Sequence, residues 1–298
     1  MIEFAIIAGG EAHRLFKANK LTGTILPVQE TPFGVADPII RVEQDGAPYF
    51  LLARHGLKAY QTNSSSVNYR ANMYALKNLG VRYVAAWSGV SSVAEGFPAG
   101  SFAVLEDVID ETRSRPSTYF QRSGIGFIRQ SPLFCPVVRN LLTDVIRDSG
   151  CDLRDGGIYA CTEGPRPNTA AEIRKYKSIG AEMVGTTICP EVFLARELEL
   201  GYAAFALVTN RAEGTVMREF NHTELFNGMV SPEEFEKVQD TVQHIPEICN
   251  ALARAVAAGI DPSPNFSLLE GYRKAGFIGD NWKTYICPGC DSGLECQR

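Results

Sequence analysis

The chain has 298 residues, is 45% hydrophobic and carries a formal net charge of -5 at pH 7, enough length and apolar material for one large α/β domain or two small ones, of which one is the simpler expectation. Its Lys and Arg form no long basic run, which argues against a nucleic-acid footprint or a polybasic membrane patch and leaves small molecules as partners. No stretch approaches about 18 continuous apolar residues, and the opening MIEFAIIAGG lacks the basic segment of an export signal, so the expected location is the cytoplasm.

EFAIIA (3–8) reads as the first strand. It runs into Gly9 and Gly10, whose backbone N–H groups could receive an anion, yet Glu11 puts a carboxylate where that anion would sit. PYFLLA (48–53) is the next strand, with Arg54 and His55 directly after it. VNYRANMYALKNLG (67–80) places Met73, Leu76 and Leu79 on one side of a helix that stops at Gly80. RYVAAW (82–87) is a strand followed by Ser88 and Gly89 in a loop, and SFAVLE (101–106) and GIYAC (157–161) are further strands. All are near-continuously hydrophobic, as strands covered on both faces must be.

TAAEIRKYKSIG (169–180) begins a helix at a Thr169 cap and ends it at Gly180. GTTICPE sets Thr186 and Thr187 just before a helix running towards Gly201, with Pro190 in its first turn and Glu191 behind it. YAAFALVT (202–209) is a strand ending at Asn210. SPEEFEKV opens with a capping box, Ser231 to Glu234, and continues through Phe235, Val238 and Val242 until Pro246 interrupts it. This alternation predicts a three-layer α/β sandwich with its ligands bound at the loops after the carboxyl ends of strands.

Those loops carry an arginine, suited to gripping phosphate in a bidentate fork, and hydroxyls beside a helix start, which read together as an anion site. Taken singly, Arg54–His55 also fits a surface ion pair and Asn210 a strand-end turn former. Of the eight cysteines, Cys135, Cys151, Cys161, Cys189 and Cys249 sit in apolar segments as small hydrophobes. Cys287, Cys290 and Cys296 lie in a short polar tail and fit a zinc site completed from elsewhere, a disulfide or free thiols.

ETPFGVADP, LLARHG, VNYRANMYALKNLGV, DVIDETRSRPSTYF, FCPVVRNLL, TEGPRPNTAAE and GTTICPEVFLARELELGYAAFALVTN resemble, in order and spacing, the methylthioadenosine phosphorylase branch of the trimeric purine nucleoside phosphorylases. The resemblance spans roughly residues 1–262, leaving 263–298 as a C-terminal extension with the Cys-x-x-Cys. It implies a single α/β domain with a mixed central sheet, assembled as a homotrimer or homohexamer. The implied reaction is phosphorolysis of a purine nucleoside to free base and pentose 1-phosphate, with phosphate as co-substrate and no cofactor.

Such a reaction passes through a ribosyl cation while negative charge builds on the departing purine, so both ends need stabilising. By the resemblance, Gly9, Gly10, Arg54, His55, Ser88 and Thr187 would hold phosphate. Gly89, Pro167, Asn168, Thr186 and Asn210 would line the nucleoside, His222 would reach its 5′ substituent, and Phe127 would serve as a lid from a neighbouring subunit or as an ordinary interface aromatic. Asn210, Arg54 and Glu11 would act in catalysis. Adenosine-type members carry an aspartate at the position of Asn210; asparagine implies inosine-, guanosine- or methylthioinosine-like substrates.

The chain departs from the family pattern inside the site. Gly10 and Glu11 replace a Ser or Thr hydroxyl, Pro167 an aromatic and Thr186 a methionine, and GLKAYQTNSSS lacks the usual histidine and proline. Three outcomes are compatible with this: a phosphorylase of altered specificity with Glu11 turned away, a phosphate-independent nucleosidase with Glu11 as the base for water, or a family member that has lost catalysis and acts as a binding protein.

Overall fold

Strand β1 (Phe4–Ile7) buries all four of its residues, so it needs partner strands on both edges and cover on both faces. It has both in the computed structural model, which describes residues 2–43, 47–58, 61–121, 123–215 and 230–286. After β1 come the short helix α1 (Ala12–Lys17), β2 (Thr24–Ile25), a small hairpin of β3 (Glu30–Thr31) and β4 (Gly34–Val35), then β5 (Ile39–Val42) and β6 (Tyr49–Leu52). The middle of the chain supplies α2 (Tyr69–Asn78), β7 (Tyr83–Ser92), β8 (Phe102–Val104), β9 (Asp107–Glu111), α3 (Pro136–Asp148), β10 (Leu153–Asp155) and β11 (Ile158–Thr162). There follow α4 (Ala170–Ser178), β12 (Met183–Gly185), α5 (Glu191–Glu197), β13 (Gly201–Arg211), α6 (Pro232–Val242), α7 (Ile245–Ala258) and α8 (Glu270–Lys274).

The main sheet has the order β10-β8-β13-β7-β1-β6-β5-β2, with β9, β11 and β12 branching from the end of β7. β1 is parallel to β6 and β7, and β7 to β13, whereas β5, β8 and β12 pair antiparallel with β6, β13 and β7. Helices α2 and α5 pack on each other, as do α3 and α7, and α3, α5 and α6 lie against β13. The result is the three-layer sandwich with a mixed central sheet that the strand–helix alternation implies.

Local chemistry fixes several helix ends as expected. The capping boxes of α4 at Thr169 and α6 at Ser231 are both complete, each satisfying two otherwise unpaired backbone donors. Pro246 does not interrupt one helix: α6 has already ended at Val242, and Pro246 lies in the first turn of α7, where its missing N–H costs nothing. α5 is shorter than its hydrophobic pattern suggests. Pro190 immediately precedes it and Glu199, at φ 55°, turns the chain into β13.

Two strands run further than their apolar cores. Ser88 and Gly89, expected in a loop, lie within β7, because β13 pairs with β7 from Gly201↔Tyr83 as far as Arg211↔Ser92. Asn210 likewise lies inside β13, just after a register shift between Val208 and Asn210. A bulge of this kind re-aims the side chains beside it.

The segment after residue 262 packs on the same body: Leu269 and Ile286 are fully buried, Trp282 meets Tyr74 edge-on, and Arg273 pairs with Glu199. Among the described residues no helix is long and apolar enough to cross a membrane.

The glycine pair after β1 splits into two different requirements. A Cβ on Gly9 would come within 2.6 Å of Trp87 Cδ1 and 2.7 Å of its carbonyl oxygen, whereas one on Gly10 would meet nothing within 4 Å. Gly9→Ala should therefore destabilise the fold by about 1–3 kcal/mol through overpacking while Gly10→Ala leaves the urea midpoint nearly unchanged; equal midpoints for the two variants would contradict this packing.

Candidate active site

The carboxyl ends of β1, β6 and β13 converge on one cleft of about 380 Å³, lined by Gly10, Glu11, His13, Arg14, His55, Thr62, Thr209, Asn210, Val230, Phe235, Val238 and Gln239. Helix α6 forms its apolar wall through Phe235 and Val238. A smaller void of about 20 Å³ lies between the loops after β1 and β6, against Gly9, Gly10, His13, His55, Gly56 and Lys58.

Asn210 is nearly buried, and its orientation is set by its neighbours. Its Oδ1 accepts from Ser91 Oγ at 3.0 Å and Thr209 Oγ1 at 2.8 Å, and its Nδ2 donates to the Arg211 carbonyl at 2.8 Å. Oδ1 thus accepts from Ser91, Thr209 divides its single proton between Oδ1 and the Val90 carbonyl at 3.0 Å, and Nδ2 keeps a second N–H beside the cleft.

Arg54, expected to grip an anion, has a fully buried guanidinium that meets a carboxylate of the protein itself. Its Nη1 lies 2.9 and 2.8 Å from the two carboxylate oxygens of Glu191, and its Nη2 donates to the Trp87 carbonyl at 2.6 Å. Tyr202 also donates to Glu191, at 2.6 Å. Burial alone would pull Arg54 down, but the adjoining Glu191 carboxylate more than offsets it and holds the guanidinium above its ordinary range. Two donors in this cluster, Arg54 Nε and Trp87 Nε1, are buried without a protein acceptor.

His55 donates from Nδ1 to the Thr62 carbonyl at 2.9 Å, which leaves Nε2 as the acceptor nitrogen of a neutral ring. Burial, reinforced by the nearby positive charge of Arg54, lowers its pKa to about 4. Ser88 and Thr187 come together as expected: Thr187 Oγ1 donates to Ser88 Oγ at 2.9 Å, and the Tyr159 hydroxyl accepts from Thr187 N at 3.1 Å.

Glu11 borders the cleft, and its carboxylate is ion-paired with Arg14 Nε at 3.2 Å. Gly9 reaches only the smaller void; Gly89 and Pro167 are exposed, and Asn168 and Thr186 are half-buried and do not line the cleft among the described residues. Phe127 is 92% exposed. His222, Cys287, Cys290 and Cys296 lie outside the described residues, and among the described residues no group of three His, Cys, Asp or Glu side chains could hold a metal ion.

Reading residue types at strand ends did not single out Glu191, Trp87, Tyr202 or Arg14. Glu191 carried a signal, a carboxylate inside the otherwise apolar run CPEVFLA, since a buried acid implies a buried partner.

Residues 3–256 match the family model described as the phosphorylase superfamily. The chain belongs to that superfamily. It is 37% identical over 241 residues to a 6-oxopurine nucleoside phosphorylase of Pyrococcus furiosus, covering 78% of this chain and 89% of the relative. It is 39% identical over 199 residues to a probable S-methyl-5′-thioinosine phosphorylase of Methanothermobacter thermautotrophicus, covering 67% and 69%. The crystal structure of a methylthioadenosine phosphorylase sourced from an Antarctic soil metagenomic library superposes with a TM-score of 0.75 at 29% identity over 90% of each chain. The membership and fold implied by the sequence resemblance therefore hold.

The state of His55 has a measurable consequence. Its folded pKa of about 4 lies below the ordinary 6.5, so its contribution to stability is complete above pH 6.5 and is lost as the pH falls through that interval towards 4. Glu197, which burial raises to about 7, acts with the opposite sign but is common to wild type and variant. Relative to His55→Asn, which can keep a donor to Thr62, the wild-type urea midpoint should fall between pH 6.5 and 4; parallel midpoints across that range would show that the ring is not held neutral.

Proposed function

We propose that this protein is a purine nucleoside phosphorylase that cleaves 6-oxopurine nucleosides of the inosine, guanosine or methylthioinosine type, using phosphate to yield free base and pentose 1-phosphate. The observation that carries the reading is the orientation of Asn210. With Oδ1 accepting from Ser91 and one Nδ2 N–H given to the Arg211 carbonyl, the remaining Nδ2 N–H can donate to a purine O6 or N7 lone pair, whereas a 6-amino group would oppose donor to donor. The 6-oxopurine nucleoside phosphorylase relative supports the same substrate class.

As negative charge develops on the leaving purine, this preset N–H stabilises it without reorganising, the economy that makes such donors effective. For the anion, the orphan donors of Arg54 and Trp87, the paired hydroxyls of Ser88 and Thr187, and the amides of Gly9 and Gly10 support a phosphate beneath the sugar. His55 would accept from a protonated oxygen of hydrogen phosphate through Nε2, and Arg14 offsets the charge of Glu11. We also infer assembly as a trimer or dimer of trimers, supported by the exposed Phe127, and a cytoplasmic setting, supported by the five described cysteines being free thiols.

Inosine, guanosine, methylthioinosine and their adenine counterparts, each assayed with and without phosphate, test the reading. Base release from the oxopurines that requires phosphate is expected. Phosphate-independent release would favour Glu11-assisted hydrolysis, and no release from any nucleoside a binding role. In Asn210→Asp the ratio of kcat/KM for inosine over adenosine should fall about 100-fold or more, because a site that hydrogen-bonds one edge rejects the mismatched one strongly; unaltered selectivity would remove Asn210 from base recognition. Gly10→Ser, which has open space for its side chain, should lower the KM for phosphate by restoring a hydroxyl, and a KM that does not fall would place the anion away from this loop.

A further inference from the structure

Three stretches of chain lie beside the residues assigned to the anion. Residues 61–64 contain Thr62, whose carbonyl orients His55; residues 162–164 leave the end of β11; residues 186–189 contain Thr187 and run into Glu191. A single buried side chain ties all three together. Arg115, in the segment after β9, donates from Nη1 to the carbonyls of Thr186 and Cys189, both at 2.7 Å, and to the Tyr69 hydroxyl at 3.1 Å. From Nη2 it donates to the carbonyls of Thr162 at 3.1 Å and Glu163 at 2.6 Å. Tyr69 passes the link on, donating to the Ser64 carbonyl at 2.9 Å.

The clamp is reciprocal. The Glu163 carboxylate accepts from Arg113 N at 2.7 Å and Ser114 Oγ at 2.8 Å, holding the strand of chain that carries Arg115. The Arg115 side chain is 1% exposed, so the four carbonyls it meets have no ready substitute in water.

We propose that Arg115 is a positioning residue of the phosphate site, a role that rests on the phosphorolytic reading above. Its Nη1 edge holds the carbonyls of 186 and 189 and its Nη2 edge those of 162 and 163, which turns their negative ends towards the guanidinium and fixes the turn that sets the Thr187 hydroxyl beside Ser88. Only a planar fork does this at both turns together; an ammonium, a compact donor, reaches one turn or the other. Arg115 touches no substrate in this scheme and acts through Thr187 and, by way of Tyr69 and the 61–64 stretch, through His55.

The test compares wild type, Arg115→Lys and Glu163→Gln by phosphate KM, nucleoside KM, calorimetric phosphate Kd and urea midpoint. Arg115→Lys should raise phosphate KM and Kd about 10- to 100-fold, the scale of a small misplacement of binding groups, with nucleoside KM changed much less. Glu163→Gln, at a partly exposed position that tolerates substitution if the lysine variant does not fold, should shift phosphate KM several-fold in the same direction. A lower urea midpoint with phosphate KM and Kd unmoved in the folded variants would overturn the proposal and leave Arg115 a structural residue. Wild-type base release without phosphate would instead remove the phosphorolytic reading, and this inference with it.

Discussion

The buried ion pair between Arg54 and Glu191 is the constraint from which the site takes its shape. It joins the end of β6 to the start of α5, and the same guanidinium holds the Trp87 carbonyl of β7 while the same carboxylate takes the Tyr202 hydroxyl of β13. Three strands of the sheet and one helix are thereby tied together. Neither ion is solvated, so removing one partner would strand the other charge at a cost of about 3–5 kcal/mol. An apolar pair could hold the fold as well; it would lack the guanidinium and unused Nε donor on which the proposed phosphate site draws.

Around that pair the protein uses one arginine for each kind of negative group. Arg54 meets the internal carboxylate, Arg115 collects carbonyl oxygens of two turns, and Arg14 meets Glu11. The burial of the first two matters, because an interaction worth little on a screened surface becomes decisive where water cannot compete. The cleft itself is built differently, from a helix wall of Phe235 and Val238 opposite polar strand ends. Such a surface suits a nucleoside, which has an apolar ring face and a polar edge.

How much of this was legible from residues alone follows the range of the interactions. The cap at Thr169, the capping box at Ser231 and the run of buried strands depend on neighbours a few residues away and were readable directly. The extension of β7 through Ser88 and Gly89 was not, because a polar end on a strand looks like a loop until the long partner β13 is known to lie beside it. Asn210 was found from its place at the end of an apolar run, but the direction of its amide depends on Ser91 in a strand 119 residues earlier. Arg54 was singled out as an anion ligand from its type and position; its engagement with Glu191, 137 residues away, is a tertiary fact that no local pattern carries.

Glu11 is where local expectation and tertiary setting conflict most. An isolated carboxylate about 4 Å from a phosphate dianion would repel it by a few kcal/mol at an intermediate dielectric, which is why its identity in the sequence raised hydrolysis as an alternative. In the fold Arg14 lies one helical turn on, 3.2 Å from that carboxylate, and both side chains border the cleft. To an anion at the glycine pair the two present a dipole in place of a net charge, so the repulsion falls off faster with distance and changes sign with orientation. Gly10, beside them, is free of contacts at its Cβ position, so the loop gives up a side-chain hydroxyl and retains backbone N–H groups that an oxyanion can still approach closely. The acidic residue that looked like an obstacle is then one half of a local pair, and the proposed anion site would draw on the deeper arginine, the paired hydroxyls and the main chain.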